Sequence, residues 1–162
     1  MKKCVCMLML ALLLTGCAAE ETYETLADEL LLPAMAQPRE ISVDLPGEAV
    51  LPAMESDTGR AYLCQDYEIY LQTLEAGDLA ETIRTLSGYE KEALTVLETV
   101  QEGLDRYEFV WACAGETGDR IGRAVVLDDG SYHYTLTVLR DEATTEHSQI
   151  VWNEIFHSFA VG

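Results

Sequence analysis

Three side chains near the end of the chain have the types that acid–base chemistry requires: Asp128, Asp129 and His133. Carboxylates and an imidazole can move protons during hydrolysis, so a tethered extracellular hydrolase that uses these residues is one hypothesis. The two aspartates also stand directly before Gly130, and Asp and Gly are the residues that tight turns favour. A turn is therefore a sufficient cause for the pair, and a strand histidine is more commonly exposed or hydrogen-bonded than catalytic.

The short motifs of common active sites are missing from the sequence, which has no G-x-S-x-G, H-E-x-x-H, P-loop or calcium-loop pattern. The glycine-rich segment from Gly115 to Gly122 lacks the lysine and the following helix of a phosphate-binding loop, so we interpret it as a hairpin loop. The sequence thus predicts no catalytic residue, no cofactor site and no metal site. We expect a protein that is not an enzyme.

Two of the five cysteines, Cys64 and Cys113, fall in predicted strands. Outside a cell they can pair as a disulfide, and closing a loop of about fifty residues would add roughly 3 to 4 kcal/mol. They can equally stay free, because unpaired cysteine is a common small core residue. A zinc site is disfavoured, since the sequence has no C-x-x-C and its histidines lie far from either cysteine.

The first residues of the chain have the parts of a secretory signal. Two lysines precede an apolar run from Cys4 to Leu14, and small residues follow it. The run is shorter than the ~20 residues of a membrane-spanning helix. The segment that follows, Leu14-Thr15-Gly16-Cys17, resembles the lipobox of bacterial lipoproteins. The resemblance implies that a diacylglycerol is attached to the Cys17 sulfur and that residues 1–16 are cut away.

A lipid on Cys17 would determine where the protein works. Each buried methylene contributes about 0.8 kcal/mol, so two acyl chains hold a protein firmly whereas one chain holds it reversibly. The resemblance therefore implies an anchor in the bacterial cell membrane, with the protein on the extracytoplasmic face. The expected partners are the membrane, through the lipid on Cys17, and an envelope protein.

The charge balance excludes one class of partner. The chain has 10 Lys and Arg against 29 Asp and Glu, a formal net charge of −19, and loss of the two N-terminal lysines makes it more acidic still. Such a field repels anionic partners, namely nucleic acid and anionic lipid surfaces, and no basic cluster overrides it. The acids most simply form a solvated surface. Attraction of cations is the alternative, which gives a second hypothesis of a cation-binding lipoprotein.

Chain organisation follows from the position of proline and of alternating residues. Residues 17–40 lack lasting strand alternation and contain Pro33 and Pro38, which indicates a tether after the lipidated cysteine. Residues 41–162 are predicted to form a single domain. Within it, alternation predicts a short strand from Ile41, and then one long strand or a broken pair over 61–74.

The remaining elements are predicted from capping and turn residues. Asp78 can cap a helix that ends at Gly88. Four strands follow over 94–100, 104–113, 123–127 and 132–139, joined by turns that include Glu102-Gly103 and Asp129-Gly130. In the last strand, Tyr134 and its alternate neighbours are expected to face the core, while the set that contains His133 faces away. A terminal helix over about 143–158 carries an apolar stripe.

This order predicts an α+β fold, in which an antiparallel meander is covered by two helices. The element order and the terminal helix that ends in Ser158-Phe159 are similar to the PsbP/Mog1-like fold. That resemblance implies a binding or assembly module more than a catalyst, and it supplies no catalytic residues. The expected function is a non-enzymatic binding or accessory role in the cell envelope.

Overall fold

The computed structural model describes residues 36–114, 118–141 and 146–162. The predicted signal peptide, Cys17 and nearly all of the tether lie outside the described residues. Residues Gln37–Gly162 form one compact unit. Among the described residues, no helix has both the length and the apolar character that crossing a membrane requires.

A seven-stranded antiparallel sheet forms the frame of this unit. Its strands lie in the order β2-β3-β4-β8-β7-β6-β5. Their bounds are β2 Met54–Ser56, β3 Gly59–Leu63, β4 Tyr67–Glu75, β5 Leu97–Gln101, β6 Leu104–Ala114, β7 Asp119–Asp128 and β8 Tyr132–Asp141. A separate two-stranded ribbon pairs β1 (Ile41–Ser42) with β9 (Ala160–Val161). The ribbon ties the start of the unit to its last residues.

Among the described residues, two α-helices cover the sheet, α1 (Leu79–Ser87) and α2 (Glu146–Ser158), and a 3-10 turn at Lys91–Ala93 precedes β5. The predicted capping residues limit α1. The Asp78 side chain accepts a hydrogen bond from the Ala80 amide at 3.0 Å, and Gly88 ends the helix with a φ of 79°. The carboxylate satisfies an amide of the first turn, and glycine adopts the left-handed conformation without a Cβ clash.

The predicted α+β architecture is confirmed: β5 to β8 form the meander and two helices cover the sheet. The segment 61–74 is the predicted broken pair, now β3 and β4. Strands β2 and β9 were not predicted, because runs of two or three residues carry no periodic signal. The pairing of β4 with β8 was not predicted either, since strands so far apart in sequence leave no local trace of their contact.

The sheet buries both of its faces. On one side, which we call the α2 face, Tyr134, Leu136 and Val138 of β8 pack with Phe156 of α2. On the other side, the α1 face, Ala124 and Val126 pack with Ile83 of α1 and with aromatic residues of β6. Strand β8 is the central strand of the sheet, and both of its faces are buried beneath helices.

The prediction that one side of β8 faces away from the core is wrong. His133, Thr135 and Thr137 do lie opposite Tyr134, but their exposed fractions are only 1%, 0% and 4%. They are enclosed because α1 lies over that face. The alternation was real, yet it separated two buried faces rather than a buried face from a solvated one.

Candidate functional site

The three residues that the sequence indicates for acid–base chemistry, Asp128, Asp129 and His133, all lie at or beside the β7–β8 turn. Asp128 Oδ1 accepts a hydrogen bond from the Gly130 amide at 2.7 Å. Asp129 Oδ1 accepts from the amides of Ser131 at 2.9 Å and Tyr132 at 2.7 Å. Gly130 has a φ of 85°, a left-handed conformation that glycine adopts most readily. Both carboxylates therefore build the turn, as the turn interpretation predicts.

Asp128 and His133 are in contact on the α1 face. His133 Nε2 lies 3.5 Å from Asp128 Oδ2, and the two residues are cross-strand partners. On the other side of the ring, His133 Nδ1 lies 2.8 Å from Oγ1 of Thr82 on helix α1. Both ring nitrogens thus have partners. The imidazole joins the hairpin turn to the helix that covers the sheet.

Thr82, His133 and Asp128 follow the hydroxyl–imidazole–carboxylate order that hydrolases use. Here, however, the hydroxyl and the imidazole are buried. His133 is 1% exposed and Thr82 is 8% exposed. A hydroxyl nucleophile needs a site beside it where the reacting carbon can lie, and these two side chains pack directly between the helix and the sheet. The arrangement favours a structural role for His133.

Asp129 points to the other side of the turn, away from His133. Its Oδ2 accepts a hydrogen bond from the Tyr134 hydroxyl at 2.9 Å and lies 3.7 Å from Nε of Arg39. The Arg39 amide donates in turn to the Tyr134 oxygen at 2.9 Å. The proposed catalytic set of Asp128, Asp129 and His133 is therefore divided, with its two carboxylates in separate clusters.

The contacts of Asp129 set its charge state. Burial alone would raise its pKa, but hydrogen bonds from the amides of Ser131 and Tyr132 and from the Tyr134 hydroxyl, with the charge of Arg39, together lower it. Burial raises the pKa of Tyr134, and the Asp129 carboxylate adds to the effect despite the nearby Arg39. Asp129 is thus held as a carboxylate and Tyr134 as a neutral donor.

A groove of about 400 Å³ lies beside this cluster. It is bounded by residues 38–41, by the β2–β3 hairpin at 56–60, and by side chains of β4 and Tyr132. Its lining mixes the cations Arg39 and Arg60 with several carboxylates, and it does not include Asp128, Asp129 or His133. The groove therefore has polar groups for binding, but the residues nominated for catalysis do not line it.

The two cysteines among the described residues do not form the disulfide that the sequence allows for them. Cys64 and Cys113 are both free thiols. Cys64 directly follows β3 and Cys113 is on β6, so strands β4, β8 and β7 lie between them. At about 4.8 Å a strand, this separation is well beyond the ~7 Å Cα distance that a disulfide spans.

Cys64 sits in an environment that suppresses its reactivity. Burial raises the pKa of its thiol and the Glu48 carboxylate adds to this, although a hydrogen bond with Tyr67 acts in the opposite direction. The Tyr67 hydroxyl itself donates to Glu48. Burial and this carboxylate both raise the pKa of Tyr67. The thiol is therefore not the activated form that redox or nucleophilic chemistry uses.

No metal centre is formed by the part of the chain that the structure describes: it contains no group of three or more His, Cys, Asp or Glu side chains arranged to hold an ion. The many carboxylates are instead dispersed among turns, ion pairs and the surface. The cation-binding hypothesis thus finds no prearranged ligand set among these residues.

Sequence reasoning missed Thr82, Arg39 and Tyr134 as members of these clusters. The inward position of Thr82 could have been predicted in part, because it lies beside Ile83 and three residues after Leu79 on an amphipathic helix. The contact of Arg39 could not have been predicted, since this residue falls in the predicted tether, where no pattern indicates a contact. Tyr134 was predicted as a core residue, but alternation does not show that its hydroxyl contacts Asp129 and the amide of the distant Arg39.

Comparisons with known proteins give a fold and no family. No protein-family model matches the chain. No curated protein matches it in sequence. A structure from Bacteroides thetaiotaomicron superposes with a TM-score of 0.52 at 7% identity, over 75% of this chain and 45% of that one. The chain thus spans less than half the length of that relative.

LpqN of Mycobacterium tuberculosis, a protein involved in cell envelope biogenesis, has a similar fold. It superposes with a TM-score of 0.50 at 13% identity, over 78% of this chain and 86% of LpqN. Both likenesses rest on the arrangement of strands and helices rather than on shared residues. At this level of identity they show a shared fold and nothing further.

Proposed function

We propose that the chain is a bacterial envelope lipoprotein. In this proposal Cys17 carries the lipid, residues 1–16 are removed, and the α+β domain is displayed on the extracytoplasmic face of the cell membrane. The observation that carries it is the segment Leu14-Thr15-Gly16-Cys17, placed directly after an apolar run too short to span a membrane. The similarity in fold to LpqN, a protein involved in cell envelope biogenesis, is consistent with a role in the envelope.

The proposed role is non-enzymatic: binding, or an accessory part in an envelope complex. Two features support it. The imidazole that would act as a general base is enclosed, with a partner on each ring nitrogen. The similarity of the element order to the PsbP/Mog1-like fold implies a binding or assembly module. Nucleic acid is not a proposed partner, because the chain carries 29 acidic against 10 basic residues.

The anchor is tested by metabolic labelling. Cells that express the wild-type chain with labelled palmitate should yield a labelled protein in the membrane fraction, and cells that express Cys17→Ala should not. Cys64→Ala is the matched control, because it removes a different thiol and should leave labelling unchanged. Equal labelling of the wild type and Cys17→Ala would refute lipidation at this residue.

The accessory role is tested by cross-linking on intact cells, followed by mass spectrometry of the captured material. We expect one envelope protein in near-equal amount with the wild-type chain and its loss with Cys17→Ala, which is mislocalised. Capture of nothing above background would count against an accessory subunit and favour a small ligand. Turnover of a substrate that is lost on His133→Ala in a folded protein would contradict the non-enzymatic role.

A further inference from the structure

A second groove lies on the α2 face, where the sheet extends beyond helix α2. It has a volume of about 440 Å³, and the residues that line it are Gln101, Arg106, Arg123, Asn153, Phe156 and His157. Two of these six are arginines and none is a carboxylate. In a chain with almost three acidic residues for each basic one, this composition is unusual.

Both guanidinium groups are fixed by a single carboxylate, that of Glu108. Arg106 Nη2 lies 3.0 Å from Glu108 Oε2, and Arg123 places Nε at 2.8 Å and Nη2 at 2.5 Å from Oε1. Arg106 also donates to the amide oxygen of Gln101. The Arg123 guanidinium lies over the Phe156 ring, 4.2 Å from its centroid. These contacts hold the arginines in place before any ligand arrives.

The cluster of Arg106, Arg123 and Glu108 has a net positive charge and N–H donors that make no hydrogen bond with the described residues. Two guanidiniums face one carboxylate, so the group carries a net charge of one. The contacts above, with a 3.5 Å contact from Arg123 to the Asn153 amide oxygen, use roughly half of the N–H groups that the two guanidiniums carry. Side chains of Arg106 and Arg123 are only 14% and 18% exposed, so their charges are weakly screened by solvent.

An apolar shelf adjoins these arginines on the same face of the sheet. Leu97 pairs with Glu108, and Val110 pairs with Arg123, so their side chains project beside those groups. Leu97 is 59% exposed and Val110 is 52% exposed. A cationic groove and a solvent-facing apolar surface therefore lie next to each other, as an amphiphile with an anionic head would require.

We infer that the Arg106–Arg123 groove binds a phosphate-class oxyanion, supplied either as free phosphate or as the headgroup of a phosphate-bearing lipid. Guanidinium groups recognise phosphate oxygens through paired N–H donors. Here the donors come from two guanidiniums on neighbouring strands, with Asn153 and His157 on the helix side, and a tetrahedral anion accepts bonds from several directions. The inference concerns ligand chemistry and does not depend on lipidation of Cys17.

The test is calorimetric titration of the full chain carrying Cys17→Ala, with inorganic phosphate in one arm and dihexanoyl phosphatidic acid below its micelle concentration in the other. The diagnostic variant is Asn153→Asp, which leaves both arginines in place and puts a carboxylate beside Arg123. It should weaken binding of both ligands by about tenfold or more, because a like charge repels the anion at close range. Gln37→Glu, which adds the same charge at an exposed position outside the groove, should leave both affinities unchanged.

The two arms distinguish the sources of the phosphate. If the lipid binds about tenfold more tightly than inorganic phosphate, and Leu97→Ser with Val110→Ser removes only that gain, the groove holds a lipid headgroup. Equal affinities that the serine variants do not change indicate free phosphate. The inference is overturned if neither ligand binds, or if Asn153→Asp binds them as well as the parent chain does.

Discussion

The indole of Trp111 lies directly against the backbone of Gly122, its cross-strand partner in the β6–β7 pair. A Cβ built on Gly122 would be 2.2 Å from Cε2 of the indole, far inside any normal contact. Glycine is therefore present here for close approach and not for loop flexibility. The aromatic ring occupies the space that a side chain on β7 would fill, and it packs there with Phe109, 5.6 Å away between centroids.

Gly122→Ala should destabilise the domain, because the new methyl group displaces a ring that is 6% exposed and has little room to move. Overpacking of a core typically costs about 1 to 3 kcal/mol, and a clash this close lies at or above the upper end. Urea unfolding followed by tryptophan fluorescence measures the loss. Gly47→Ala is the matched control, since a Cβ at that residue meets nothing within 4 Å. Equal stability of the two variants would contradict the proposed packing.

Thr82→Val should destabilise the domain by about 1 to 3 kcal/mol, because it keeps the shape of the side chain but leaves His133 Nδ1 buried without its partner. Thr82→Ser retains the hydroxyl and should recover most of that hydrogen-bond loss. Denaturant unfolding at neutral pH compares the three proteins. A valine variant as stable as the wild type would show that the 2.8 Å contact contributes nothing.

Thr135→Val should be neutral or stabilising, by up to about 1 kcal/mol. Among the described residues, Thr135 Oγ1 is buried without a hydrogen-bond partner. No hydrogen bond therefore compensates for the desolvation of this hydroxyl. Valine has nearly the same shape and no polar atom. Thr82→Val removes a hydroxyl that has a partner, so the two variants compare a paired with an unpaired buried threonine. A clear loss of stability in Thr135→Val would mean that this hydroxyl does make a stabilising contact.

Asp129 should make folding sensitive to acid. Its pKa is lower in the folded state than the ~3.9 of an unfolded aspartate, so its contribution is present above that value and is lost as the pH falls through the folded pKa. Asp129→Asn removes the contribution at every pH. The difference in unfolding free energy between wild type and variant should therefore shrink from pH 6 to pH 2.

The control for this titration is Asp44→Asn, which removes a carboxylate from an exposed position. This variant measures the general effect of removing one exposed carboxylate, which is subtracted from the effect of Asp129→Asn. If the Asp129→Asn difference is constant from pH 6 to pH 2, the hydrogen bonds from Ser131, Tyr132 and Tyr134 do not depend on the charge of Asp129.

Cys64 should be alkylated by iodoacetamide with a pH midpoint above that of an ordinary thiol, because burial and Glu48 both raise its pKa. Glu48→Gln should lower the midpoint, and the digest mass of the Cys64 peptide follows the reaction separately from that of Cys113. The midpoint is the useful quantity, since the absolute rate also depends on access. A midpoint at or below that of free cysteine would contradict this environment.

Local signals in the sequence were sufficient for most of the secondary structure. Asp78 and Gly88 limit α1 because a capping carboxylate and a left-handed glycine act within one turn of their own position. Glu102 and Gly103, with φ values of 53° and 85°, form the predicted turn between β5 and β6 for the same reason. Alternation marked the strands of the meander, although it could not show that both faces of β8 are buried.

The sequence by itself determined the α+β class, the capped helix, the meander and its turns, because each follows from interactions between residues a few positions apart. It also carries the lipobox resemblance that ends at Cys17. Only the tertiary structure decided that β4 lies beside β8, that His133 meets Thr82, and that Arg106 and Arg123 share Glu108. The first two contacts join distant segments and depend on strand order and helix placement, and the third depends on the register of the β6–β7 pair. No local sequence pattern encodes these features.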